Sequence, residues 1–212
     1  MAQRLLGAEG TRLPHVRAAG FLAGQLGPLL DRAEADLLVA AATLHDIGYS
    51  AHVRHTGFHP LDGGLHLARS GFSERLAALV AHHSLAHVMA PPELAGELCA
   101  RFPREESLLV DALVYADMHS APDGRIIRGE DRLADIGARR PFPHEVERAH
   151  GLRAAMGRVG AAILESASSR EAGRHSAPRG SGFRRWWLRE AAHCVTVAQA
   201  DGGRRTASAL HR

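Results

Sequence analysis

The sequence contains no lysine. All 26 of its basic residues are arginine, so a phosphate or carboxylate ligand has to be met by guanidinium, histidine, a metal ion or backbone amides. Aromatic residues make up only 5% of the chain, which leaves alanine, leucine and valine to fill the core and favours helices. The 212 residues suffice for one domain with a real core, or at most two small ones.

Cysteines and long apolar runs are also scarce. The two cysteines, Cys99 and Cys194, have neither a disulfide-type nor a metal-type spacing, which indicates a reducing compartment. The first ten residues lack the basic and apolar regions of a secretory signal, and no apolar run reaches the length that spans a membrane. These absences predict a cytoplasmic protein without a membrane partner.

Positive charge is concentrated at the C-terminal end. From residue 166 onward nine arginines stand against three acids, whereas 17 basic and 20 acidic residues precede that point. A basic chain can indicate nucleic-acid binding, but here the basicity belongs to the end of the chain, so nucleic acid is not the predicted partner. Residues 166–212 are rich in Ser, Gly and Arg without periodicity, which predicts a disordered tail. Within it, FRRWWLREAAHCVTVAQA could form a short helix.

Residues 1–165 are predicted to form one all-α domain. Apolar residues recur there at spacings of three and four, and no alternating strand pattern or internal repeat is evident. Pro60 suits the first turn of a helix, Ser73 can cap another, and Gly48 is expected to stop the helix before it. Helices are predicted over residues 12–26, 31 or 32 to 45, 73–83, 128–139 and 144–165. A further helix is predicted to begin at residue 59, a short one at residue 91 or 92, and another to lie within residues 105–120.

Polar residues interrupt the apolar faces of three of these helices. His15, His45 and Asp117 all fall on core-facing stripes, and Asp46 adjoins His45 in the stretch TLHDIGY. Each of them alone has an ordinary explanation, such as a hydrogen-bonded core histidine or a solvated helix end. Together they have to meet in one interior, where a divalent cation would satisfy them all. Imidazole and carboxylate ligands suit Zn²⁺, Mn²⁺, Fe²⁺ or Co²⁺.

The order of His15, the His45-Asp46 pair and Asp117 resembles the HD superfamily of metal-dependent phosphohydrolases, which is named for that dyad. The resemblance covers about residues 12–135. The segments HPLDGG and AHHS lie between Asp46 and Asp117, and their histidines resemble the additional histidines of the binuclear subset of this superfamily. That subset includes HD-GYP phosphodiesterases and diadenosine tetraphosphate hydrolases. The resemblance implies a first ion held by His15, His45, Asp46 and Asp117, and a second held by Asp46, His59, His82 and, as a further candidate, His83.

Two departures from the family pattern limit what the resemblance implies. Tyr49 follows HDIG where many of these enzymes have lysine, and no Gly-Tyr-Pro signature follows the histidine pair, so cyclic di-GMP is not the predicted substrate. The number of ions also stays open, because with one ion His59 and the His82-His83 pair could contact substrate instead. The metal identity stays open among Mn, Fe, Zn and Co.

The function implied by the resemblance is hydrolysis of a phosphate ester or anhydride, with a nucleotide favoured, by a metal-activated water. Asp46 and His45 are the implied catalytic residues. Arg12, Arg125 and Arg128 are candidates for phosphate contact because they lie near the ligands in sequence, and Arg132 is a weaker one. Two alternatives remain: a mixed-valent di-iron oxygenase with the same ligand set, and a non-catalytic HD module that binds a nucleotide or a partner protein.

Overall fold

The structure, a computed structural model, describes residues 1–7, 10, 12–139, 144–172 and 182–209. The regular elements of these residues are helices, and the only β-type pairing among them is an isolated antiparallel bridge between Ser120 and Ile126. The predicted all-α fold class is therefore confirmed. The helices are α1 (Ala2–Leu6), α2 (Arg12–Leu26), α3 (Arg32–Leu44), α4 (His59–Arg69), α5 (Glu74–His82), α6 (Ala86–Met89), α7 (Pro92–Arg101), α8 (Leu108–Met118), α9 (Gly129–Arg139), α10 (Glu145–Ala172) and α11 (Gly182–Ala209).

Helix starts are fixed by capping residues that the sequence already contains. The side chains of Asp31, Ser73 and Ser107 each accept a hydrogen bond from the backbone N–H three residues later, at the starts of α3, α5 and α8. Pro60 and Pro92 lie in the first turns of α4 and α7, where a missing N–H costs no helical hydrogen bond. The capping role predicted for Ser73 and the position predicted for Pro60 are thereby confirmed.

Helix α8 lies at the centre of the fold. Nine of its 11 residues are buried, and it packs against α2, α3 and α10. Its two acidic residues therefore both need partners in the interior. Asp111 receives two hydrogen bonds from Arg158, at 2.6 and 2.7 Å. Asp117, two turns further on, is directed instead toward a group of histidines.

The C-terminal part of the chain differs from the predicted disordered tail. Helix α10 continues past residue 165 to Ala172, and α11 packs along α10. Trp187, Ala191 and Cys194 join the hydrophobic core, and the Trp187 ring meets the Tyr115 ring edge-to-face with 5.4 Å between centroids. These three residues are spaced as one helical stripe, which the surrounding arginines concealed. Residues 173–181 and 210–212 of the predicted tail lie outside the described residues.

Replacing Trp187 by alanine tests whether α11 is part of the folded core. We expect the free energy of unfolding to fall by about 3 to 5 kcal/mol, because the large indole would leave a cavity against Tyr115. The neighbouring Trp186 is only partly buried, so Trp186→Ala is the matched control and should cost about 1 kcal/mol or less. Urea denaturation measures both. Equal and small effects would show that α11 does not contribute to the core.

The helices described here include none that is long and apolar enough to cross a membrane.

Candidate metal centre

Six side chains from five parts of the chain converge in the interior. One comes from α2, two follow the end of α3, one begins α4, one follows α5 and one lies in α8. Five of the six are almost completely buried, and the side chain of the sixth, His59, is 24% exposed. We refer to this cluster as the metal centre, and its members are His15, His45, Asp46, His59, His83 and Asp117.

The first half of the metal centre is built around His15 and Asp117. The Nε2 atom of His15 lies 3.0 Å from Oδ1 of Asp117 and 3.2 Å from Nε2 of His45. Nε2 of His45 lies 3.7 Å from the same Asp117 oxygen and 3.6 Å from Oδ1 of Asp46. Ligand atoms bound to one cation at ~2.1 Å are ~3.0 to 3.4 Å apart in octahedral or tetrahedral geometry. Two of the four separations lie in that range and the other two exceed it by a few tenths of an ångström, so these atoms are close to the spacing of ligands around one ion.

The second half shares Asp46 with the first. Oδ1 of Asp46 lies 3.4 Å from Nε2 of His59 and 3.9 Å from Nε2 of His83. The two histidine Nε2 atoms are themselves 3.2 Å apart. One carboxylate oxygen thus faces His45, His59 and His83 at once.

Hydrogen bonds on the outer side of the His45 and His83 rings turn their Nε2 atoms toward the cluster. Nδ1 of His45 donates to the carbonyl oxygen of Ala42 at 2.8 Å, and Nδ1 of His83 donates to that of Val80 at 2.6 Å. In the neutral ring, Nε2 then carries a lone pair that points into the cluster. Lone pairs and carboxylate oxygens this close repel one another unless positive charge lies among them. Divalent cations fit the residues present.

The charge states of four of the six groups suit metal binding, whereas burial of His15 is outweighed by Asp117, which raises the pKa of that histidine. Burial alone would raise the pKa of Asp46 and of Asp117, but the neighbouring histidines, His45 first, outweigh it and lower both pKa values. Burial lowers the pKa of His59 and lowers that of His83 to about 4. The carboxylates are therefore ionised and these two imidazoles neutral near pH 7, which are the forms that bind a cation.

The structure brings His83, and not His82, to the metal centre. Nε2 of His82 donates to the carbonyl oxygen of Phe102 at 2.8 Å, and its ring lies against His87. Helix α5 ends at His82, and consecutive residues at a helix end project in different directions, so only one of the pair can face Asp46. The sequence resemblance placed His82 ahead of His83 as a ligand, whereas the structure places His83 beside Asp46 and His82 beside Phe102.

Among the three arginines expected to contact phosphate, only Arg12 lies beside the metal centre. Its Nη1 donates to Oδ2 of Asp46 at 2.9 Å, and its guanidinium lies 3.7 Å from the centroid of the Tyr49 ring. Tyr49 also stacks on His59 with 3.9 Å between centroids. Its ring therefore positions both an arginine and a ligand histidine.

Arg125 and Arg128 are directed elsewhere. Arg125 is exposed and pairs with Asp123 at 2.7 Å. Arg128 lies 3.4 Å from Glu190 and 2.6 Å from Nε2 of His193, both on α11. Their closeness to Asp117 in sequence does not become closeness in space, because the chain turns away after α8 through the Ser120–Ile126 bridge.

A cavity of about 700 Å³ opens over the metal centre. Its lining includes Asp46, His59, His83 and Asp117, and it also includes a set of four arginines. These are Arg12, Arg54, Arg132 and Arg148.

Sequence reasoning missed two of these arginines and one hydroxyl. Ser84 donates to Oδ2 of Asp117, and its carbonyl oxygen accepts from Nε of Arg148 at 3.1 Å. The position of Ser84 directly after the histidine pair is a signal that could have identified it. Arg54 and Arg148 lie in stretches that resemble ordinary surface sequence, and Arg148 reaches the site only because α10 packs against α8.

Gly48 has a different role from the helix stop that the sequence predicted. Helix α3 already ends at Leu44, and Gly48 lies in a short 3₁₀ turn, Ile47–Tyr49, pressed against the start of α4. A Cβ atom at Gly48 would overlap the carbonyl oxygen of His59 and come within 2.9 Å of the Gly63 nitrogen. Glycine is required there because two backbones meet.

Gly48→Ala is therefore expected to lower the free energy of unfolding by about 2 to 3 kcal/mol, since backbone atoms would have to move apart. Metal affinity should fall with it, because His59 moves with its carbonyl. Gly96→Ala in α7 is the control: a Cβ there meets nothing within 4 Å among the described residues, and the helix should gain up to about 1 kcal/mol. Thermal unfolding and metal titration compare the two, and similar behaviour of both variants would refute this account of Gly48.

Comparison with protein families identifies the HD domain over residues 12–134. No curated protein and no solved structure matches the chain. The matched span covers more than half of the chain and contains every residue of the metal centre, from His15 to Asp117. Its His-Asp dyad, His45 and Asp46, lies in the middle of that centre. The chain therefore belongs to the HD domain family, as its resemblance to the HD superfamily of metal-dependent phosphohydrolases predicted.

Proposed function

We propose that this protein hydrolyses a phosphate ester or anhydride of a small molecule, with a nucleotide as the favoured substrate class. The observation that carries the proposal is one cavity that combines the cation ligands of the metal centre with four arginines. Phosphoryl transfer depends mainly on positioning and on neutralising the charge of the phosphoryl oxygens. A cavity with both kinds of positive charge meets that requirement.

The metal centre supplies the ligands for this chemistry. Divalent cations held by His15, His45, Asp46 and Asp117, and by Asp46, His59 and His83, would lower the pKa of water and neutralise phosphate charge. The two carboxylate oxygens of Asp46 have different neighbours: Oδ1 faces the histidines, and Oδ2 accepts a hydrogen bond from Arg12. His45 is oriented by its hydrogen bond to Ala42. Asp46 and His45 therefore remain the proposed catalytic pair.

Arg132 is the arginine best placed to receive a substrate phosphate. It is only 6% exposed, and it lines the cavity. One guanidinium nitrogen, Nη1, contacts Asp135 at 3.2 Å, while the buried Nε has no hydrogen-bond partner within the described part of the chain. Buried donors are rarely left unpaired, and we assign a substrate oxygen as the partner of Nε, which would require the guanidinium to turn toward the cavity because Nε has almost no exposed surface.

The remaining lining supports a nucleotide over a simple phosphate. Phe58, Met89 and Ile136 give the cavity an apolar side. Its volume, about 700 Å³, is within the range of ~300 to 1,000 Å³ typical of small-molecule sites. Arginines for phosphates together with apolar contacts for a base favour a nucleotide.

The alternatives share most of these features. A di-iron oxygenase of the superfamily would use the same histidines and aspartates, but four cavity arginines favour a phosphate-bearing substrate. A non-catalytic module would not need a complete ligand set, whereas the six residues of the metal centre include ligands for two ions. Hydrolysis is therefore the function that we favour.

The test is a substrate panel with metal-reconstituted protein. Nucleotides, dinucleoside polyphosphates and phosphate monoesters are assayed for hydrolysis with Mn²⁺, Zn²⁺, Co²⁺ or Fe²⁺, and oxygen uptake is followed in parallel. The proposal expects hydrolysis with at least one metal, and none after chelation. Oxygen uptake without hydrolysis would support the oxygenase, and neither activity with any metal would support the binding module.

Arg132→Gln is expected to lower kcat/KM by roughly 30-fold, which corresponds to about 2 kcal/mol for a hydrogen bond to a charged group. Arg125→Gln is the matched control, because Arg125 is exposed and paired with Asp123. Its kcat/KM should stay within about twofold of the wild type. An equal effect of both substitutions would remove Arg132 from the substrate site.

A further inference from the structure

A second cluster of metal-ligand side chains joins the end of α8 to α11. It consists of His119, Glu190 and Cys194, which we call the α8–α11 triad, and it shares no residue with the metal centre. All three side chains are almost fully buried. Nε2 of His119 lies 3.3 Å from Oε1 of Glu190, and Sγ of Cys194 lies 3.8 Å from the first atom and 3.9 Å from the second.

These separations match those of ligands around one tetrahedral zinc ion. Bonds of ~2.0 to 2.1 Å to nitrogen and oxygen and of ~2.3 Å to sulfur place N and O ~3.3 Å apart, and either of them ~3.6 Å from sulfur. The N–O distance in the triad equals the expected value, and the two distances to sulfur exceed theirs by a few tenths of an ångström. A fourth position would be left for water or for the second oxygen of Glu190.

Neighbouring groups hold the three ligands toward one point. Nδ1 of His119 donates to the carbonyl oxygen of Tyr115 at 2.8 Å, so Nε2 is the ring nitrogen that faces Glu190. The Gly129 N–H donates to Oε1 of Glu190 at 3.2 Å, and Arg128 lies beside Oε2. Glu190 and Cys194 are one helical turn apart, which places them on the same face of α11.

The chemistry of the triad selects a particular class of ion. A thiolate, an imidazole and a carboxylate together suit a borderline-soft divalent cation, whereas Mg²⁺ and Ca²⁺ prefer oxygen ligands alone. Burial and the charge of Glu190 raise the pKa of the Cys194 thiol to about 12. A cation has to displace this tightly held proton, which leaves to solvent, before the sulfur binds as thiolate.

We propose that His119, Glu190 and Cys194 bind a Zn²⁺-class cation that fastens α11 to the end of α8. The site is structural and independent of the proposed hydrolysis. It would link the C-terminal helix to the helix that carries Asp117, two residues before His119.

Cobalt spectroscopy of the full chain tests the proposal. Only a thiolate ligand gives the near-ultraviolet sulfur-to-cobalt charge-transfer band, and the metal centre contains no cysteine, so the band reports on the triad alone. We expect the Co²⁺-loaded wild type to show the band and Cys194→Ser to lose it. Cys99→Ser, which changes the exposed cysteine, should keep it, as should Asp46→Asn, which impairs only the metal centre.

A wild-type protein that binds cobalt without this band would overturn the proposal, as would a band that disappears with Cys99→Ser. The triad would then be a hydrogen-bonded contact between helices. If Cys194→Ser fails to fold, X-ray absorption of the zinc-loaded Asp46→Asn protein decides the question: a Zn–S distance of ~2.3 Å supports the site, and a shell of only nitrogen and oxygen refutes it.

Discussion

Replacing Asp46 by asparagine is expected to lower phosphate hydrolysis by ~10³-fold or more and to remove cations from the metal centre. One oxygen of Asp46 faces His45, His59 and His83, so the carboxylate contributes to both halves of the centre. Loss of a residue behind a metal ligand typically costs ~10- to 100-fold in affinity or activity, and loss of a shared ligand should cost more. Elemental analysis and kcat/KM measure the two effects.

Asp111→Asn is the matched control for this substitution. Asp111 is also a buried carboxylate, but Arg158 is its partner and it lies outside the metal centre. We expect this variant to lose stability while it keeps the metal content and kcat/KM of the wild type. Metal content and activity of Asp46→Asn equal to those of the wild type would contradict the assignment of Asp46.

His83→Ala and His82→Ala are expected to differ sharply, although the two residues are adjacent. His83 faces Asp46 and His59, so its removal should cost one cation and ~10²- to 10³-fold in kcat/KM. His82 is bonded to the carbonyl oxygen of Phe102. Its removal should cost about 1 kcal/mol of stability and leave the metal content unchanged.

Metal counts and kcat/KM of the two variants decide between the structure and the sequence resemblance. Loss of metal in His82→Ala, with retention in His83→Ala, would restore His82 as the ligand and contradict the structure at the end of α5.

Much of the first half of the metal centre could be predicted from the sequence, because its ligands lie on helices. Polar residues at apolar positions of a helix face the core, so His15, His45 and Asp117 had to lie together there. The second half depends on helix ends. There a difference of one residue changes the direction of a side chain, and for that reason the pattern could not distinguish His82 from His83.

The C-terminal part could not be predicted for a different reason. The stripe of Trp187, Ala191 and Cys194 is short, and it lies among arginines and small residues that resemble a disordered segment. The cysteine spacing likewise gave no sign of a metal site, because the partners of Cys194 are a histidine 75 residues away and a glutamate on its own helix. Only the packing of α11 beside α8 and α10 brings them together.

The most direct test of the central claim is anomalous diffraction from crystals equilibrated with Mn²⁺. We predict one anomalous peak among His15, His45, Asp46 and Asp117, and a second among Asp46, His59 and His83. A single peak at the first position would reduce the centre to one ion and leave His59 and His83 as substrate contacts. No peak beside Asp46 at saturating Mn²⁺ would contradict the metal centre and, with it, the proposed hydrolysis.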